Sequence, residues 1–309
     1  MPKLIVRLRN YVGDTVLSVP ALHLLQRHGY ELELVGKGWA KSLLAGEGWP
    51  VSVRPKRLQD RVRQLRSLRR QARAQDPDFD HRDNALVLPW AFSAALDMRL
   101  AGLRAHGSAY EARGWLLRRS HPMDPNSHAL RSYWDLACAF LGISEAPPAS
   151  IGLRLNMAQH EAAEAALQAH GLAPQGFVLV CPFASGTTEF VDKSWPDFPA
   201  FVARLRAEGH TPVVCPGPSE VAGAQALYPG ALQLPNLDLG AYAALMTRAR
   251  CVVANDTGPA HMAAGVGAPL ISVLGPTKAD IWAPWSPTVQ VLQHASGWPT
   301  VDEVLARVL

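Results

Sequence analysis

The sequence has few cysteines, and no two of them have the spacing of a metal site or a redox pair. Cys138, Cys181, Cys215 and Cys251 are scattered, and three of them lie in or beside apolar runs that are typical of strands. We interpret them as small buried hydrophobic residues of a reducing compartment. No run approaches the roughly 20 apolar residues of a membrane-spanning helix, and the N-terminal residues do not read as a signal peptide. These absences favour a cytoplasmic globular protein.

Two nucleotide-binding motifs are also absent. The sequence has no Walker A loop and no GxGxxG following a strand, which argues against a P-loop ATPase and a dinucleotide-dependent dehydrogenase. No recognisable nucleic-acid-binding motif is present either.

What the sequence does contain is a twofold alternation of apolar strand-like runs and amphipathic helix-like segments. A Pro-containing stretch at residues 143–150 separates the two series. The alternation predicts an α/β protein with two open parallel sheets and a cleft between them, in domains spanning residues 1–150 and 151–309. Near the start, Gly13 and Asp14 are expected to form a turn before a helix over residues 15–28.

One segment after a predicted strand has the features of a phosphate site. Asp256 and Thr257 are good helix N-caps, and Pro259 suits the first helical turn. The amide groups of such a turn lack partners within the helix and lie at the positive end of its dipole. An ordinary capped helix start is the alternative. A similar strand exit at residues 275–277 suggests an adjacent parallel strand, and ligands bind at that edge of open α/β sheets.

The charge is uneven along the chain. Residues 51–73 contain nine basic residues and one acidic residue, a charge of +8. Because the net charge of the whole chain is +4, the remainder carries −4. Apolar residues recur between its arginines, which predicts one amphipathic helix with a basic outer face. The helix is either an ordinary solvated surface or a contact for an anionic partner, namely a phosphorylated glycolipid, a membrane surface or nucleic acid. No aromatic residues interleave its arginines, which argues against nucleic acid.

Four blocks together resemble glycosyltransferase family 9, the ADP-heptose–lipopolysaccharide heptosyltransferases. They are VGDTVLSVPAL at 12–22, KSWP at 193–196, PGPSE at 216–220, and NDTGPAHMAA at 255–264 followed by GPT at 275–277. The resemblance covers nearly the whole chain and implies the GT-B fold, in which two Rossmann-like domains face a central cleft. It also implies an inverting transferase with an ADP-sugar donor, no cofactor and no metal.

The resemblance assigns catalytic roles to two residues. The base of the family maps onto Asp14, which could otherwise be a helix N-cap; a carboxylate can remove the proton of an acceptor hydroxyl. Lys193 is placed against the diphosphate, where a cation stabilises the departing nucleotide; otherwise it is a solvated loop lysine. Ser185, Gly186, Thr187 and Thr188 could offer hydroxyl and amide groups to the same phosphates.

The remaining donor-binding candidates follow strands of the C-terminal domain. We expect the Asp256 carboxylate to cap the helix while the amides of Thr257 and Gly258 face the phosphate. His261 is either a phosphate contact or a buried core histidine. Glu220 suits a contact to ribose hydroxyls, although an acidic residue in a first helical turn is also ordinary.

The acceptor implied by the resemblance is the anionic inner core of lipopolysaccharide, bound by the N-terminal domain. Its expected partners are arginines of the basic helix and of the end of that domain: Arg61, Arg63, Arg66, Arg113, Arg118 and Arg119. The basic face would also hold the protein at the inner surface of the inner membrane. Alternatives are transfer of heptose or hexose to a protein or another glycan, a nucleotide-sugar epimerase, and a non-catalytic nucleotide-sugar or glycolipid-binding protein.

Overall fold

A computed structural model gives the structure of residues 1–184, 187–188 and 191–308. The chain divides into two compact units. The first unit contains Met1–Lys41 and Gly48–Pro148, and the second contains Ser42–Glu47 and Ala149–Leu309. The sequence patterns did not single out the short segment Ser42–Glu47.

The first unit, all of which is described, is built on a six-stranded parallel sheet. Its strands are β1 (Lys3–Arg7), β2 (Glu31–Gly36), β3 (Val51–Val53), β4 (Ala85–Val87), β5 (Ala105–Ser108) and β6 (Arg119–His121). The spatial order is β3-β2-β1-β4-β5-β6. The order therefore reverses between β1 and β4, which makes the carboxyl ends of these two strands the switch point of the sheet.

Helices connect these strands. They are α1 (Val12–Leu17), α2 (Val19–Arg27), α3 (Ala40–Leu43), α4 (Leu58–Gln75), α5 (Phe92–Ala101) and α6 (Ala129–Leu141), with 3-10 turns at Ala45–Glu47, Phe79–His81 and Gly114–Leu116. Helix α3 and the first of these turns extend into the segment that belongs to the second unit.

The second unit has the same architecture within its described residues. Its parallel sheet contains β7 (Val178–Cys181), β10 (Pro212–Val214), β11 (Leu232–Gln233), β12 (Cys251–Ala254), β13 (Leu270–Leu274) and β14 (Val289–Gln293). The order β11-β10-β7-β12-β13-β14 places the switch point between β7 and β12. The short strands β8 (Thr187–Thr188) and β9 (Val191–Asp192) form a separate antiparallel pair.

The helices of the second unit alternate with its strands. They are α7 (Met157–Ala169), α8 (Phe198–Ala207), α9 (Val221–Leu227), α10 (Leu239–Met246), α11 (Gly258–Gly265), α12 (Ala279–Trp282) and α13 (Val301–Val308). The predicted α/β class with two parallel sheets is confirmed.

Burial explains why the sequence patterns located the central strands. Every residue of β7, β12 and β13 is buried, because helices cover both faces of a parallel sheet and its strands are continuous apolar runs. The edge strand β14 has exposed positions instead. Three of the four cysteines are buried and none forms a disulfide. Burial raises the pKa of Cys181 to about 12, which fits the prediction of inert hydrophobic cysteines.

Two helix predictions need comment. The expected turn at Gly13 and Asp14 is wrong, because both residues lie inside α1, and the break before α2 falls at Ser18. The basic helix was predicted correctly as α4. Its apolar seam of Val62, Leu65 and Leu68 is buried, and Leu65 and Leu68 belong to a core cluster that includes Met98 of α5.

Candidate functional site

Each unit has a buried carboxylate at the switch point of its sheet. In the first unit this residue is Asp14, which follows β1 and is the third residue of α1. In the second unit it is Asp256, which follows β12 and precedes α11. Both positions are where open parallel sheets bind ligands.

Asp14 is held by two donors on one of its oxygens. The Tyr133 hydroxyl donates to Oδ1 at 2.5 Å, and Arg9 Nε donates to the same oxygen at 3.2 Å. Neither this carboxylate nor any other side chain caps α1, so the alternative of a helix N-cap is not observed. Within the described chain Oδ2 makes no hydrogen bond and can receive a proton.

The partners of Asp14 were not found by sequence reasoning. Burial and the neighbouring Asp14 carboxylate raise the pKa of Tyr133 well above its usual value, so its hydroxyl remains a donor at neutral pH. Arg9 also stacks over Trp90, with its guanidinium carbon 4.4 Å from the ring centroid, and Trp90 lies just beyond β4. A cation over an aromatic face is attracted by the ring quadrupole, which holds Arg9 beside the carboxylate.

Asp256 is surrounded more completely. Lys193 Nζ and Thr277 Oγ1 donate to Oδ2 at 2.7 Å and 2.9 Å, and His261 Nε2 lies 3.7 Å from Oδ1. Burial by itself would raise the pKa of Asp256, but His261 and Lys193 outweigh burial and lower it to about 2. The carboxylate is therefore ionised at all physiological pH values and fixes the position of the Lys193 ammonium.

The N-terminus of α11 is open, and this corrects the expected role of Asp256. The helix begins after Thr257, and no side chain caps it. Among the described residues, the buried Thr257 Oγ1 and His261 Nδ1 have no hydrogen-bond partner. His261 is buried, as one alternative held, yet its unpartnered nitrogen lies one turn from uncapped amide groups. Such an end suits an oxyanion.

Two residues anchor the segment that carries Lys193. The Asn255 side chain is fully buried; its Nδ2 donates to the carbonyl of Pro182 at 2.7 Å and its Oδ1 accepts from the amide of Trp195 at 2.9 Å. Trp195 is buried against Phe198. Asn255 lies in one of the four sequence blocks but is not predicted as a functional residue, because its role depends on a contact 60 residues away along the chain.

Thr277 reaches Asp256 from a turn that requires a glycine. A Cβ atom at Gly275 would come within 2.4 Å of the Trp298 ring, so a larger residue would displace the turn. Gln293 Nε2 donates to the carbonyl of Thr277 at 2.6 Å and fixes the same turn. The strand exit at residues 275–277 therefore contributes to the site through the Thr277 hydroxyl.

The other predicted donor-binding residues are placed as follows. Ser185 and Gly186 lie outside the described residues. Thr187 and Thr188 form β8, whose backbone pairs with β9. Glu220 follows β10 and precedes α9, and its Oε2 accepts from the amide of Gly217 at 2.8 Å. That carboxylate closes a turn with one oxygen, and its other oxygen makes no hydrogen bond within the described chain.

The basic helix α4 is less cationic than its own sequence suggests. Arg61 forms a two-pronged ion pair with the buried Asp97 of α5, at 2.6 Å and 3.0 Å, so its side chain already has a carboxylate partner. Arg63 is exposed and pairs with Asp60. Arg66 is exposed and donates to the carbonyl of Leu100.

A further cationic group was missed because its residues come from distant parts of the chain: the end of β1, the residue after β3, and helices α4 and α5. Arg7 at the end of β1 is buried; burial first, and then repulsion from Arg54, lower its pKa to about 9. Arg7, Arg54 and Arg61 all interact electrostatically with the single carboxylate of Asp97. The Nε atoms of Arg7 and Arg54 have no hydrogen-bond partner in the described chain. This cluster, which we call the Arg7 cluster, has an excess of positive charge.

The arginines near the end of the first unit differ from one another. Arg113 is fully buried and donates to the carbonyls of Ser108, Pro89 and Ala91. Burial lowers its pKa to about 10. Its predicted role as a surface contact for the acceptor is therefore replaced by a structural role. Arg118 and Arg119 are exposed. Their Nε atoms lie 3.8 Å from Oδ1 and 3.6 Å from Oδ2 of Asp83, respectively.

The described residues contain neither a cluster suited to a metal ion nor a membrane-spanning helix. No group of three or more His, Cys, Asp or Glu residues is arranged there to hold a metal ion. No helix in the same residues is long and apolar enough to cross a membrane.

Known proteins resemble this chain in sequence. Residues 66–304 match the sequence model of glycosyltransferase family 9 (heptosyltransferase). Lipopolysaccharide heptosyltransferase 3 of Escherichia coli is 30% identical over 127 residues, which cover 38% of this chain and 36% of that protein. The chain thus aligns with little more than a third of the length of this curated relative.

Solved structures resemble it over nearly all of this chain and most of their own length. E. coli ADP-heptose lipopolysaccharide heptosyltransferase II superposes with a TM-score of 0.81 at 21% identity, covering 99% of this chain and 97% of that one. A glycosyltransferase family 9 protein from Veillonella parvula gives 0.79 at 17% identity, covering 99% and 88%. E. coli heptosyltransferase WaaC with ADP gives 0.73 at 19% identity, covering 98% of both chains. These likenesses confirm the predicted GT-B fold class. Together with the family match, they show that the chain belongs to glycosyltransferase family 9, the heptosyltransferase family, and is a glycosyltransferase.

Proposed function

We propose that this protein transfers heptose from ADP-heptose to the inner core of lipopolysaccharide, with inversion at the anomeric carbon and without a metal ion. The observation that carries the proposal is the open N-terminus of α11 beside the Lys193–Asp256 pair. Its support from relatives lies in their names, which specify lipopolysaccharide heptosyltransferases and, for one structure, bound ADP.

The second unit has the groups that a nucleotide diphosphate leaving group needs. Charge develops on the diphosphate as the glycosidic bond breaks, and preorganised donors stabilise that charge. Within the described chain Lys193 Nζ donates to Asp256 alone, and an ammonium can donate three hydrogen bonds. The unpartnered Thr257 Oγ1 and His261 Nδ1 add two polar atoms at the helix end. These groups perform the role that a metal ion has in other transferases.

Asp256 is then a framework residue of the donor site. Its carboxylate would repel a phosphate if it were unpaired, but Lys193 and Thr277 occupy Oδ2 and the His261 ring lies beside Oδ1. It orients the ammonium rather than contacting the donor directly. Glu220 completes the proposed site, with its uncommitted oxygen available to a ribose hydroxyl.

The first unit supplies the base. Tyr133 and Arg9 both bind Oδ1 of Asp14, which leaves Oδ2 to accept the proton of the attacking hydroxyl. The carbon–oxygen bond to the sugar forms as the bond to ADP breaks, and the proton passes to Asp14. Attack from the face opposite ADP inverts the anomeric centre.

The acceptor is anionic, and the cations of the first unit suit it. In the Arg7 cluster, Arg7 is buried and donates to Leu8, Val35 and Asn10, and Arg61 is paired with Asp97. The half-buried Arg54 is therefore the member left for an anion, and guanidinium groups bind carboxylate and phosphate in paired hydrogen bonds. Four of the six arginines predicted to bind the acceptor are exposed, namely Arg63, Arg66, Arg118 and Arg119. The same exposed cations would attract the protein to an anionic membrane surface, each adding about 1 kcal/mol.

The direct test is ADP release from ADP-heptose in the presence and absence of heptose-deficient lipopolysaccharide. We expect release that depends on the acceptor and a product one heptose heavier by mass spectrometry. Equal release without acceptor would contradict the proposal and indicate a hydrolase or an epimerase-like reaction. ADP binding without release in either condition would contradict the assigned donor sugar or acceptor.

A further inference from the structure

A polar pocket lies in the first unit on the side of the sheet formed by β5 and β6. Its volume is about 220 Å³, and its polar lining consists of Ser108, His121, Asp124, Ser127, Ser132 and Asp135. Ser108 and His121 are the last residues of β5 and β6, so the pocket opens at the carboxyl ends of these strands, as ligand sites of parallel sheets do. None of its lining residues belongs to the proposed donor site, acts as the proposed base or contributes to the Arg7 cluster.

A chain of three side chains runs along the sheet into this pocket. His106 Nε2 lies 2.7 Å from Asp83 Oδ2, and His121 Nε2 lies 3.1 Å from His106 Nδ1. The His106 ring is nearly inaccessible and packs edge-on against Phe140. The order Asp83–His106–His121 is therefore fixed by packing as well as by hydrogen bonds.

This chain determines which nitrogens carry protons. Burial would raise the pKa of Asp83, but His106 and nearby arginines lower it, so Asp83 is a carboxylate and only accepts. His106 must then donate from Nε2 and accept at Nδ1. Burial lowers the pKa of both histidines, so both rings are neutral at pH 7. His121 must donate from Nε2, and its Nδ1 is left as an acceptor.

The rest of the lining also favours a ligand that donates hydrogen bonds. Ser108 is only 3% exposed, and its hydroxyl makes no hydrogen bond within the described chain although it lines the pocket. Asp124 and Asp135 contribute carboxylates, which only accept. Met123 and Leu136 supply an apolar surface between the polar groups. An acceptor-rich rim around a small apolar surface matches a sugar ring, which has hydroxyl groups at its edge and C–H groups on its face.

We propose that this pocket binds one uncharged sugar ring of the acceptor glycan, with His121, Ser108 and Asp135 accepting hydrogen bonds from its hydroxyl groups. The inference rests on the proposed function for the source of the ring. Pockets for drug-sized ligands start at about 300 Å³, so a smaller pocket suits a single ring. Two carboxylates disfavour an anionic sugar, which distinguishes this pocket from the Arg7 cluster in the same unit.

The test compares two probes that share one ring. Saturation-transfer NMR of the full-length protein is recorded with D-mannose and, separately, with D-mannose 6-phosphate. We expect saturation transfer to mannose that is lost in His121→Phe, reduced about tenfold in apparent affinity in Ser108→Ala, and retained in the matched control His81→Phe. Equal transfer in wild type and His121→Phe, or tighter binding of the phosphorylated sugar, would overturn the proposal.

The hydrogen-bonded series Asp83–His106–His121 is tested separately, through the protonation of the two histidine rings. Long-range ¹H–¹⁵N spectra should show His121 protonated at Nε2, with a shift of Nδ1 when mannose is added. Asp83→Asn should mix the tautomers and weaken mannose binding, and Asp83→Glu should restore both. Unchanged tautomers in Asp83→Asn would contradict this assignment.

The pocket and the transferase can fail independently. If ADP release depends on acceptor but its KM for acceptor is unchanged in His121→Phe, the pocket proposal is wrong and the transferase stands. If mannose binds through His121 but no acceptor-dependent release occurs, the transferase proposal is wrong and a sugar pocket stands. The combined proposal predicts a higher acceptor KM in His121→Phe with kcat nearly unchanged.

Discussion

The two units have the same kind of sheet and each has a carboxylate at the switch point, on opposite sides of it: Asp14 follows β1, the third strand in its sheet, and Asp256 follows β12, the fourth in its own. The two carboxylates differ in their hydrogen-bond partners. Asp256 has donors on Oδ2 and a histidine beside Oδ1, whereas Asp14 has both of its donors on Oδ1. A carboxylate with partners around both oxygens holds those partners in place, whereas a carboxylate with one free oxygen can accept a proton. The comparison teaches that position in the fold defines a site, while the distribution of donors decides what its carboxylate does.

The largest effect is expected from removing the proposed base. Asp14→Asn keeps the size of the side chain but cannot take up a proton, so acceptor-dependent transfer should fall by about 10²- to 10⁴-fold. Initial rates of ADP release at saturating donor and acceptor measure this. Asp78→Asn, at an exposed position, is the control and should behave as wild type. Full activity in Asp14→Asn would show that the free Oδ2 has no catalytic role.

Removing the cation of the second unit should have the next largest effect. Lys193→Ala deletes the ammonium that would stabilise the departing ADP, so kcat should fall by about 10²- to 10³-fold. Lys193→Arg should recover part of the loss because it keeps the charge. The matched control is Lys41→Ala, at an exposed position outside both sites. A normal kcat in Lys193→Ala would show that Lys193 has no role in the chemical step.

The framework role of Asp256 predicts a pH-dependent stability. The pKa of Asp256 is about 2 in the folded protein and 3.8 in a model compound, so ionisation contributes roughly 2 kcal/mol to the free energy of unfolding above pH 4. A lowered folded pKa means that this contribution is lost as the pH falls from 4 towards 2. Urea unfolding should show Asp256→Asn destabilised by about that amount at pH 7 and less so near pH 2. A constant difference across this range would contradict the ion pairing.

Tyr133→Phe probes the donor that orients the base. It removes one hydrogen bond to Asp14, worth about 1 kcal/mol, so kcat/KM should fall about fivefold. An unchanged kcat/KM in Tyr133→Phe would contradict the orienting role of this hydroxyl. Tyr30→Phe is the control.

The smallest effect is expected at the exposed rim of the first unit. Arg63 is 76% exposed as a side chain, and exposed ion pairs contribute only about 0–1 kcal/mol. Arg63→Ala should raise the acceptor KM a few-fold at low salt, with little change at high salt and none in kcat. A change in ADP affinity would contradict the proposal that the first unit binds the acceptor and the second unit binds the donor.

The sequence patterns predicted the buried central strands and the residues at their ends, but not the short edge strand β6. Continuous apolar runs identify strands buried on both faces, and Asp256 and Thr277 follow such runs directly. Helix boundaries were less predictable: α1 begins before Asp14 although no side chain caps it, so the usual start signal was absent.

What could not be predicted depends on contacts between distant residues. Tyr133 is 119 residues from Asp14 along the chain, and no local pattern connects them. The charge of α4 was overestimated because Asp97 and Asp80, which neutralise Arg61 and Arg69, lie outside that helix. The burial of Arg113 likewise follows from tertiary packing around carbonyl groups, which its local sequence does not reveal.

The most direct test of the central contrast is calorimetric titration of ADP into wild type, Asp14→Asn and Asp256→Asn, alongside their transfer rates. We expect Asp14→Asn to bind ADP as wild type does while its transfer falls by about 10²- to 10⁴-fold, whereas Asp256→Asn loses both ADP affinity and transfer. Weakened ADP binding in Asp14→Asn, or normal ADP binding in Asp256→Asn, would contradict the assignment of one carboxylate to proton transfer and the other to the donor site.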